Sequence, residues 1–104
     1  MTEPRRMVQL YVCIYHMINP AEPNKEMLDR HHAYLYDLLD RKILLGSGSM
    51  KDENDKRHCG GINILRAPNL ATAKEIAEQD PFVRAGDRGV EVLPWQRTTF
   101  GDGS

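Results

Sequence analysis

A histidine in the first half of the chain and an aspartate in the second half are the residues best suited to acid–base chemistry. His31 lies in MLDRHHAYLYDLL, where the residues three and four positions before and after it are apolar or aromatic. This spacing predicts that its imidazole lies on the apolar stripe of a helix. A buried imidazole needs a polar partner. Two interpretations are open: a core histidine bonded to a backbone carbonyl, or a general acid or base.

Asp80 opens the stretch DPFVRAG and also admits two interpretations. An aspartate followed by proline is typical of a helix N-cap with proline at the first helical position, and Gly86 would end the short helix 82–85. The same carboxylate is suited to orient His31 and to raise its basicity as a general base. The two roles are not exclusive.

The remaining candidates carry weaker signals. His32 is turned by about 100° from His31 on a helix, which places it on a more mixed face. Adjacent helical histidines do not easily share a metal ion. Ser47 lies in GSGS, but no GK[ST] helix start follows, so a strand end with a bulge is favoured over a phosphate site. His58 and Cys59 are adjacent, and adjacent strand residues point to opposite faces.

The elements that must position these residues follow from hydrophobic periodicity and capping signals. The pattern predicts strands at 7–17, 43–50, 59–67 and 89–99, and helices at 24–42 and 70–79. Asn69 is the expected N-cap of the second helix, and Pro94 assigns the last strand to a sheet edge or a bulge. The charged segment 51–58 is an exposed connection, and Gly60–Gly61 indicates a bulge or a close approach. The order βαββαβ predicts a ferredoxin-like α+β fold, a four-stranded antiparallel sheet with both helices on one face.

The first strand has two largely apolar rows, which bears on assembly. One row contains Val8, Leu10, Val12 and Ile14, and the other contains Gln9, Tyr11, Cys13 and Tyr15. Because the second row is semi-apolar, we expect it to be covered by protein and not exposed to solvent. The sequence therefore predicts a homodimer in which two sheets meet through the face that the helices leave open. The fold also permits an approach of Cys13 to Cys59 across paired strands.

Size and composition exclude several classes of protein. The 104 residues (11.9 kDa) predict one domain, with a core at about 7–99 and a flexible tail at 100–104. With 14 basic and 15 acidic residues, no nucleic-acid surface is indicated. The absence of a long apolar run or a signal-peptide pattern predicts a cytoplasmic protein that spans no membrane. Two cysteines make no disulfide framework, and without CxxC or HxxxH patterns we expect neither a metal nor an organic cofactor.

Three stretches resemble the YciI-like (YCII-related) family: HHAYLYDLLDRKILLGSGSM, GGINILRAPNLATAKEIAEQDPF, and DPFVRAG followed by VEVLPW. The resemblance implies a ferredoxin-like protomer in a dimeric α/β barrel, with a site formed by His31 and Asp80. Some relatives are similar in fold to muconolactone isomerase, and one branch dehydrochlorinates hydroxylated aromatic rings. The chain departs from the family at Lys42, where glycine is common, and at Ser49, where proline is common. The rim of the pocket is therefore expected to differ.

These residues predict a cofactor-independent enzyme in which His31 is the general base or acid and Asp80 holds its tautomer. Proton abstraction next to a carbonyl or phenol, leading to isomerisation or elimination on a small aromatic or lactone metabolite, suits such a pair. The candidate residues for the pocket wall are Tyr15, Tyr34, Ser47 and Phe82. The alternative is a non-catalytic module that binds a small molecule or serves assembly. An open cleft beside the pair would favour the enzyme, and sealed packing would favour the module.

Overall fold

The strands and helices occur in the predicted order. The computed structural model describes residues 5–54 and 60–100. Its elements are β1 (Arg5–Met17), α1 (Lys25–Asp40), β2 (Leu44–Ser49), β3 (Gly61–Leu65), α2 (Leu70–Glu78), α3 (Pro81–Arg84) and β4 (Arg88–Phe100). The strands form one sheet in the order β2-β3-β1-β4, and each neighbouring pair is antiparallel. This arrangement confirms the ferredoxin-like α+β fold.

Asparagine side chains begin both long helices. Asn24 accepts a hydrogen bond from the backbone amide of Met27, and Asn69 accepts one from Thr72, each at 2.8 Å. The predicted cap at Asn69 is confirmed. After α1 the chain turns through Lys42, whose φ of 60° lies in the left-handed region. Glycine adopts this conformation without strain, so the lysine makes this turn at an energetic cost.

The two rows of β1 face opposite sides of the sheet from those predicted, so the row expected on the open face lies under the helices. Tyr11, Cys13 and Tyr15 are buried and pack in the core that the helices cover. The second helix meets this core with Ala73 and Ala77, both fully buried. Because these side chains are small, they leave room for tyrosines from the strand. Alternation defines the two rows, but both are apolar, so it did not indicate which one the helices cover.

The opposite face of the sheet is apolar and partly uncovered. Cross-strand register sets Val12 between Ile64 of β3 and Leu93 of β4. Leu93 and Trp95 are 42% and 41% exposed. The fourth strand lies at the edge of the sheet, which confirms the assignment made from Pro94. An open apolar face is therefore present, made by the row of β1 that was expected to be covered by the helices.

The backbones of three strands approach closely where β3 begins. Gly60 has a φ of 95°, and a Cβ atom there would collide with the carbonyl oxygen of Tyr15. A Cβ atom at Gly61 would lie 2.6 Å from the carbonyl oxygen of Gly48. The close approach predicted for this glycine pair is confirmed. It holds the start of β3 tightly against both β1 and β2.

The charged connection is described only in part. Residues 51–54 are mostly exposed, whereas 55–58 and Cys59 lie outside the described residues. The approach of Cys13 to Cys59 therefore stays a prediction. Burial raises the pKa of the Cys13 thiol to about 12, so this thiol stays protonated and unreactive at neutral pH. Within the described part of the chain, no helix is long and apolar enough to cross a bilayer.

Candidate active site

His31 and Asp80 lie in contact, although one belongs to α1 and the other to the corner before α3. The Nδ1 atom of His31 is 3.2 Å from Oδ1 of Asp80 and also 3.2 Å from Oδ2. The approach to Oδ1 has hydrogen-bond geometry, whereas Oδ2 is buried without a hydrogen-bond partner among the described residues. The distance is at the long end of the range for an N–H···O hydrogen bond. The side chain of Asp80 is 1% exposed and that of His31 is 16% exposed.

Asp80 also caps α3. Its Oδ1 atom accepts a hydrogen bond from the backbone amide of Phe82 at 2.9 Å, and Pro81 is the first helical residue. Its backbone carbonyl accepts the first hydrogen bonds of that helix. The same side chain thus meets the geometry of a helix cap and of a histidine partner. The predicted cap is confirmed, and the role of Asp80 as the partner of a general base stays a prediction.

The contact determines which ring nitrogen of His31 is available for chemistry. A carboxylate accepts hydrogen bonds and does not donate them, so the proton of a neutral imidazole facing Asp80 belongs on Nδ1. The other nitrogen, Nε2, then carries the lone pair. This is the tautomer that a general base requires, because the free lone pair is the one that takes a proton.

A cavity of about 880 Å³ opens beside the pair. It lies between α1 and the part of the sheet where β2 ends and β3 begins. Both His31 and Asp80 line it. Cavities of about 300–1,000 Å³ are typical of sites for small molecules. The pair therefore borders a space large enough for a metabolite, instead of being sealed inside the core.

Three of the four predicted wall residues line this cavity. Tyr15 and Phe82 reach it from β1 and α3, and Ser47 reaches it from β2, where it pairs with a residue of β3. Tyr34 is not among the lining residues, and its hydroxyl donates a hydrogen bond to the carbonyl oxygen of Ile76 at 2.6 Å. Tyr34 thus connects α1 to α2 behind the cavity.

Two buried polar side chains form part of the cavity wall on the sheet side. Asn63 is 4% exposed, and its Nδ2 atom donates a hydrogen bond to the hydroxyl of Tyr15 at 3.3 Å. Burial raises the pKa of Tyr15 and of Tyr34 well above their usual value, because a phenolate there would be desolvated. Tyr15 therefore keeps its proton at neutral pH. Sequence reasoning missed Asn63, although asparagine is uncommon in strands and its position there was a usable signal.

Phe82 contacts two side chains that bear on the chemistry of the cavity. Its ring centroid is 4.9 Å from that of His31, and the two rings are tilted by 56°. The guanidinium carbon of Arg88 lies 4.0 Å from the same centroid, which is a cation–π contact. Sequence reasoning also missed Arg88. The alternation of β4 through Val92 and Val90 places Arg88 on the helix-covered face, and that signal was available.

His32 is exposed, and its ring centroid lies 5.8 Å from that of His31. It borders the cavity, whereas the imidazole that contacts Asp80 is that of His31. Among residues 5–54 and 60–100, no three histidine, cysteine or acidic side chains form a group that could hold a metal ion. The wall of the cavity thus combines imidazole, buried carboxylate, neutral phenol and guanidinium groups.

A protein-family model matches most of the chain. The model of the YCII-related domain matches residues 10–96. The chain belongs to the YCII-related family. The structure of this YCII-related chain is similar to that of 5-chloro-2-hydroxyhydroquinone dehydrochlorinase (TftG) from Burkholderia phenoliruptrix, in complex with 2,5-dihydroxybenzoquinone.

The likeness to TftG has a TM-score of 0.55 and 23% sequence identity, and it covers 83% of this chain and 92% of that one. At this identity the likeness shows a shared fold. A comparison with curated proteins gives no match. The chemistry of the YCII-related site must therefore be argued from its own residues.

Proposed function

We propose that the protein is an enzyme that catalyses proton transfer, followed by elimination or isomerisation, on a small hydroxylated aromatic or lactone-like ring. The observation that carries the proposal is the contact of His31 with Asp80 at the wall of an open cavity of about 880 Å³. A purely structural pair would be expected to be sealed by packing. The imidazole instead retains 16% of its exposure and borders the cavity.

In this proposal Nε2 of His31 removes a proton from a hydroxyl or a carbon of the ring. Removal of a carbon proton next to a carbonyl lets the electron pair expel a leaving group or shift a double bond. On an aromatic ring, the imidazolium first delivers the hydroxyl proton to the ring carbon that bears the leaving group, which gives a keto tautomer. Removal of a second hydroxyl proton then expels the leaving group, such as chloride, and leaves a quinone. Asp80 keeps Nδ1–H oriented and stabilises the imidazolium that forms. The imidazolium then returns its proton to the product or to water. General acid–base catalysis contributes roughly 10²–10⁴-fold, so the cavity must also orient the substrate.

The other wall residues have roles in the same step. The neutral hydroxyl of Tyr15 is suited to donate a hydrogen bond to a ring oxygen on which negative charge develops. Ser47 and Phe82 contribute a polar edge and an aromatic face. The dehydrochlorinase activity in the name of TftG supports an elimination, and the hydroxylated quinone bound to TftG supports a ring substrate. The proposal invokes no metal or organic cofactor.

A non-catalytic module that binds a small molecule is the second candidate, and one observation favours it. The contact of 3.2 Å is longer than the roughly 2.7–2.9 Å of a strong charge-assisted hydrogen bond. In that case Asp80 serves as the cap of α3 and as a tie to His31, and the cavity binds a metabolite without converting it. Turnover distinguishes the two candidates.

We also infer that the protein forms a homodimer through the open face of the sheet. The apolar row across three strands, with Leu93 and Trp95 about two-fifths exposed, supports this assembly. Glu91 and Arg97 flank these residues on the same face of β4. In a two-fold arrangement centred between Leu93 and Trp95, the acidic end of this row meets the basic end of the second copy.

The test of the catalytic proposal is chloride release from chlorinated hydroxyhydroquinones, measured by ion chromatography, together with isomerisation of small lactones followed by absorbance. We expect His31→Gln to lower turnover by roughly 10²–10⁴-fold. His32→Gln, which alters the neighbouring ring that does not reach Asp80, is expected to change turnover by only a few fold. Binding of these compounds with no turnover by the wild-type protein would instead favour the binding module.

A further inference from the structure

Arg88 is an unpaired cation beside the candidate site. It is the first residue of β4, and its guanidinium lies over the ring of Phe82 with a carbon-to-centroid distance of 4.0 Å. Its Nε atom is buried and has no hydrogen-bond partner among the described residues. The ion pairs found within residues 5–54 and 60–100 involve other groups, and none includes Arg88. A buried donor without an acceptor is costly, so this geometry indicates that an acceptor is missing.

The carboxylates near Arg88 do not supply that acceptor. Asp80 contacts His31 and the amide of Phe82, and although its Oδ2 atom has no hydrogen-bond partner among the described residues, it forms no ion pair with Arg88. Asp87 borders a second space of about 190 Å³ next to the main cavity, and its side chain accepts a hydrogen bond from Asn19 at 3.1 Å. Glu22 borders both spaces but is exposed and forms no ion pair with the arginine. Within residues 5–54 and 60–100, no carboxylate is therefore paired with this guanidinium.

The contact with Phe82 leaves the guanidinium suited to bind an anion. One face of the planar group packs against the aromatic ring, while its N–H groups point outward in the plane. An arginine in this position binds two anionic oxygens at once, which a carboxylate or the ionised oxygens of a hydroxyquinone present. Arg88, Phe82 and His31 all border the main cavity, so the guanidinium and the imidazole belong to the same site.

We propose that Arg88 binds a pair of anionic oxygens on the substrate, so that the site takes small planar rings that are acids. This inference rests on the proposed function, because it names the substrate class of the same cavity. His31 and Arg88 both contact Phe82, at 4.9 Å and 4.0 Å from its centroid. Phe82 thus holds both groups at one part of the cavity wall, where a ring meets the guanidinium with its acidic end and presents the reacting proton to the imidazole.

The test compares acids with neutral molecules of nearly the same shape, by isothermal titration calorimetry. One matched pair is 4-hydroxybenzoate with 4-hydroxybenzamide, and the other is 2,5-dihydroxybenzoquinone with its dimethyl ether. We expect the wild-type protein to bind the acid of at least one pair about tenfold or more tightly than its neutral partner. A preference confined to one pair supports the inference and identifies which source of anionic oxygens the site takes.

Three variants then assign the preference to Arg88. Arg88→Met is expected to remove the preference for the acid while the dissociation constant of the neutral partner changes by less than about threefold. Arg88→Lys, which keeps the charge but loses the planar fork, is expected to retain part of the preference. Arg84→Met is the matched control, because Arg84 is exposed and pairs with Gln79 outside the cavity. It is expected to keep the full preference.

Two outcomes overturn the inference. In the first, the wild-type protein prefers neither acid, or binds neither. In the second, Arg88→Met and Arg88→Lys both fold, as judged by circular dichroism, and weaken the acid and the neutral partner equally. Failure of the proposed function is separate. His31→Gln would then leave turnover unchanged, while the preference for acids that Arg88 confers would persist.

Discussion

The two faces of the sheet depart from ordinary burial in opposite ways: one buries polar side chains, and the other exposes apolar ones. The helix-covered face buries polar groups, among them Tyr15 and Asn63, with Asp80 beside them at 1% exposure. The open face exposes apolar groups, including Leu93 and Trp95. Buried polar side chains and exposed apolar patches are the departures from ordinary burial that carry information. This contrast underlies both proposals, which assign chemistry to the covered face and assembly to the open face.

The largest expected effect tests the covered face. Asp80→Asn keeps the cap of α3, because asparagine caps a helix as well as aspartate does, but it removes the charge beside His31. We expect turnover to fall by roughly 10²–10⁴-fold. The free energy of unfolding should change by less than about 1 kcal/mol. Steady-state kinetics and urea denaturation measure the two quantities. A larger loss of stability with ligand binding intact would make the pair structural.

The next effect tests the open face. Leu93→Lys introduces a charge into the apolar row, and we expect the dissociation constant of the dimer to rise roughly thirtyfold or more, as at an interface hot spot. Light scattering coupled to size-exclusion chromatography over a dilution series measures this change. The control is Leu39→Lys, since Leu39 is 53% exposed on α1 and lies away from the open face. A wild-type protein that is monomeric at high concentration would refute the assembly.

A smaller effect tests the sheet side of the cavity. Tyr15→Phe removes the hydroxyl that accepts a hydrogen bond from Asn63. We expect the free energy of unfolding to fall by about 1 kcal/mol, because a buried amide donor loses its acceptor. Ligand affinity should fall by about tenfold if the phenol donates to a ring oxygen. Tyr36→Phe is the comparison, because Tyr36 is 66% exposed on α1. Equal behaviour of the two variants would contradict a ligand contact at Tyr15.

The smallest expected effect is a loss of folding stability at alkaline pH. The pKa values of Cys13 and Tyr15 are raised in the folded protein by burial, from ordinary values of 9.0 and 10.0. Above those values the unfolded chain has lost protons that the folded chain retains. The stabilisation is therefore complete below about pH 9 and declines as pH rises toward the folded values. Urea denaturation across this range measures it.

Replacing the thiol sharpens the alkaline prediction. Cys13→Ala removes the group with the lower ordinary pKa, so we expect its free energy of unfolding to fall less steeply than that of the wild-type protein between about pH 9 and pH 10. The substitution itself is expected to lower stability at neutral pH, because it leaves a small cavity in the core. Parallel curves for the two proteins would show that the buried thiol does not contribute to the alkaline loss.

Local chemistry explains why most elements were predictable. Alternation along β1 and the asparagine cap at Asn69 are properties of short stretches, and the structure confirms both. The covered side of β1 was predicted wrongly, because it depends on the small residues of α2, which lie far away in sequence. The stripe on α1 indicated His31. The partnership with Asp80 was one of two interpretations, and the family resemblance favoured it, since the cap alone explains an aspartate before proline.

Asn63 and Arg88, the two wall residues that the sequence analysis did not predict, have only weak signals in the sequence. Asn63 was treated as an ordinary strand position, although an asparagine in the middle of GINIL is unusual for a strand. The predicted last strand begins at residue 89, so its alternation assigns no face of the sheet to Arg88. Extending the alternation of β4 by one residue pair assigns it to the covered face. Its contact with Phe82 depends on the corner at α3, which no local pattern predicts.

Phe82 couples the size of the cavity to the orientation of the groups around it. Its side chain borders both the space of about 880 Å³ and the space of about 190 Å³, and it contacts the imidazole and the guanidinium. A smaller residue there would join the two spaces and would also release both groups from their common support. Adaptation to bulkier compounds is therefore unfavourable at this position. It is easier at Ser47, on the rim of β2, where a change of side chain disturbs neither group.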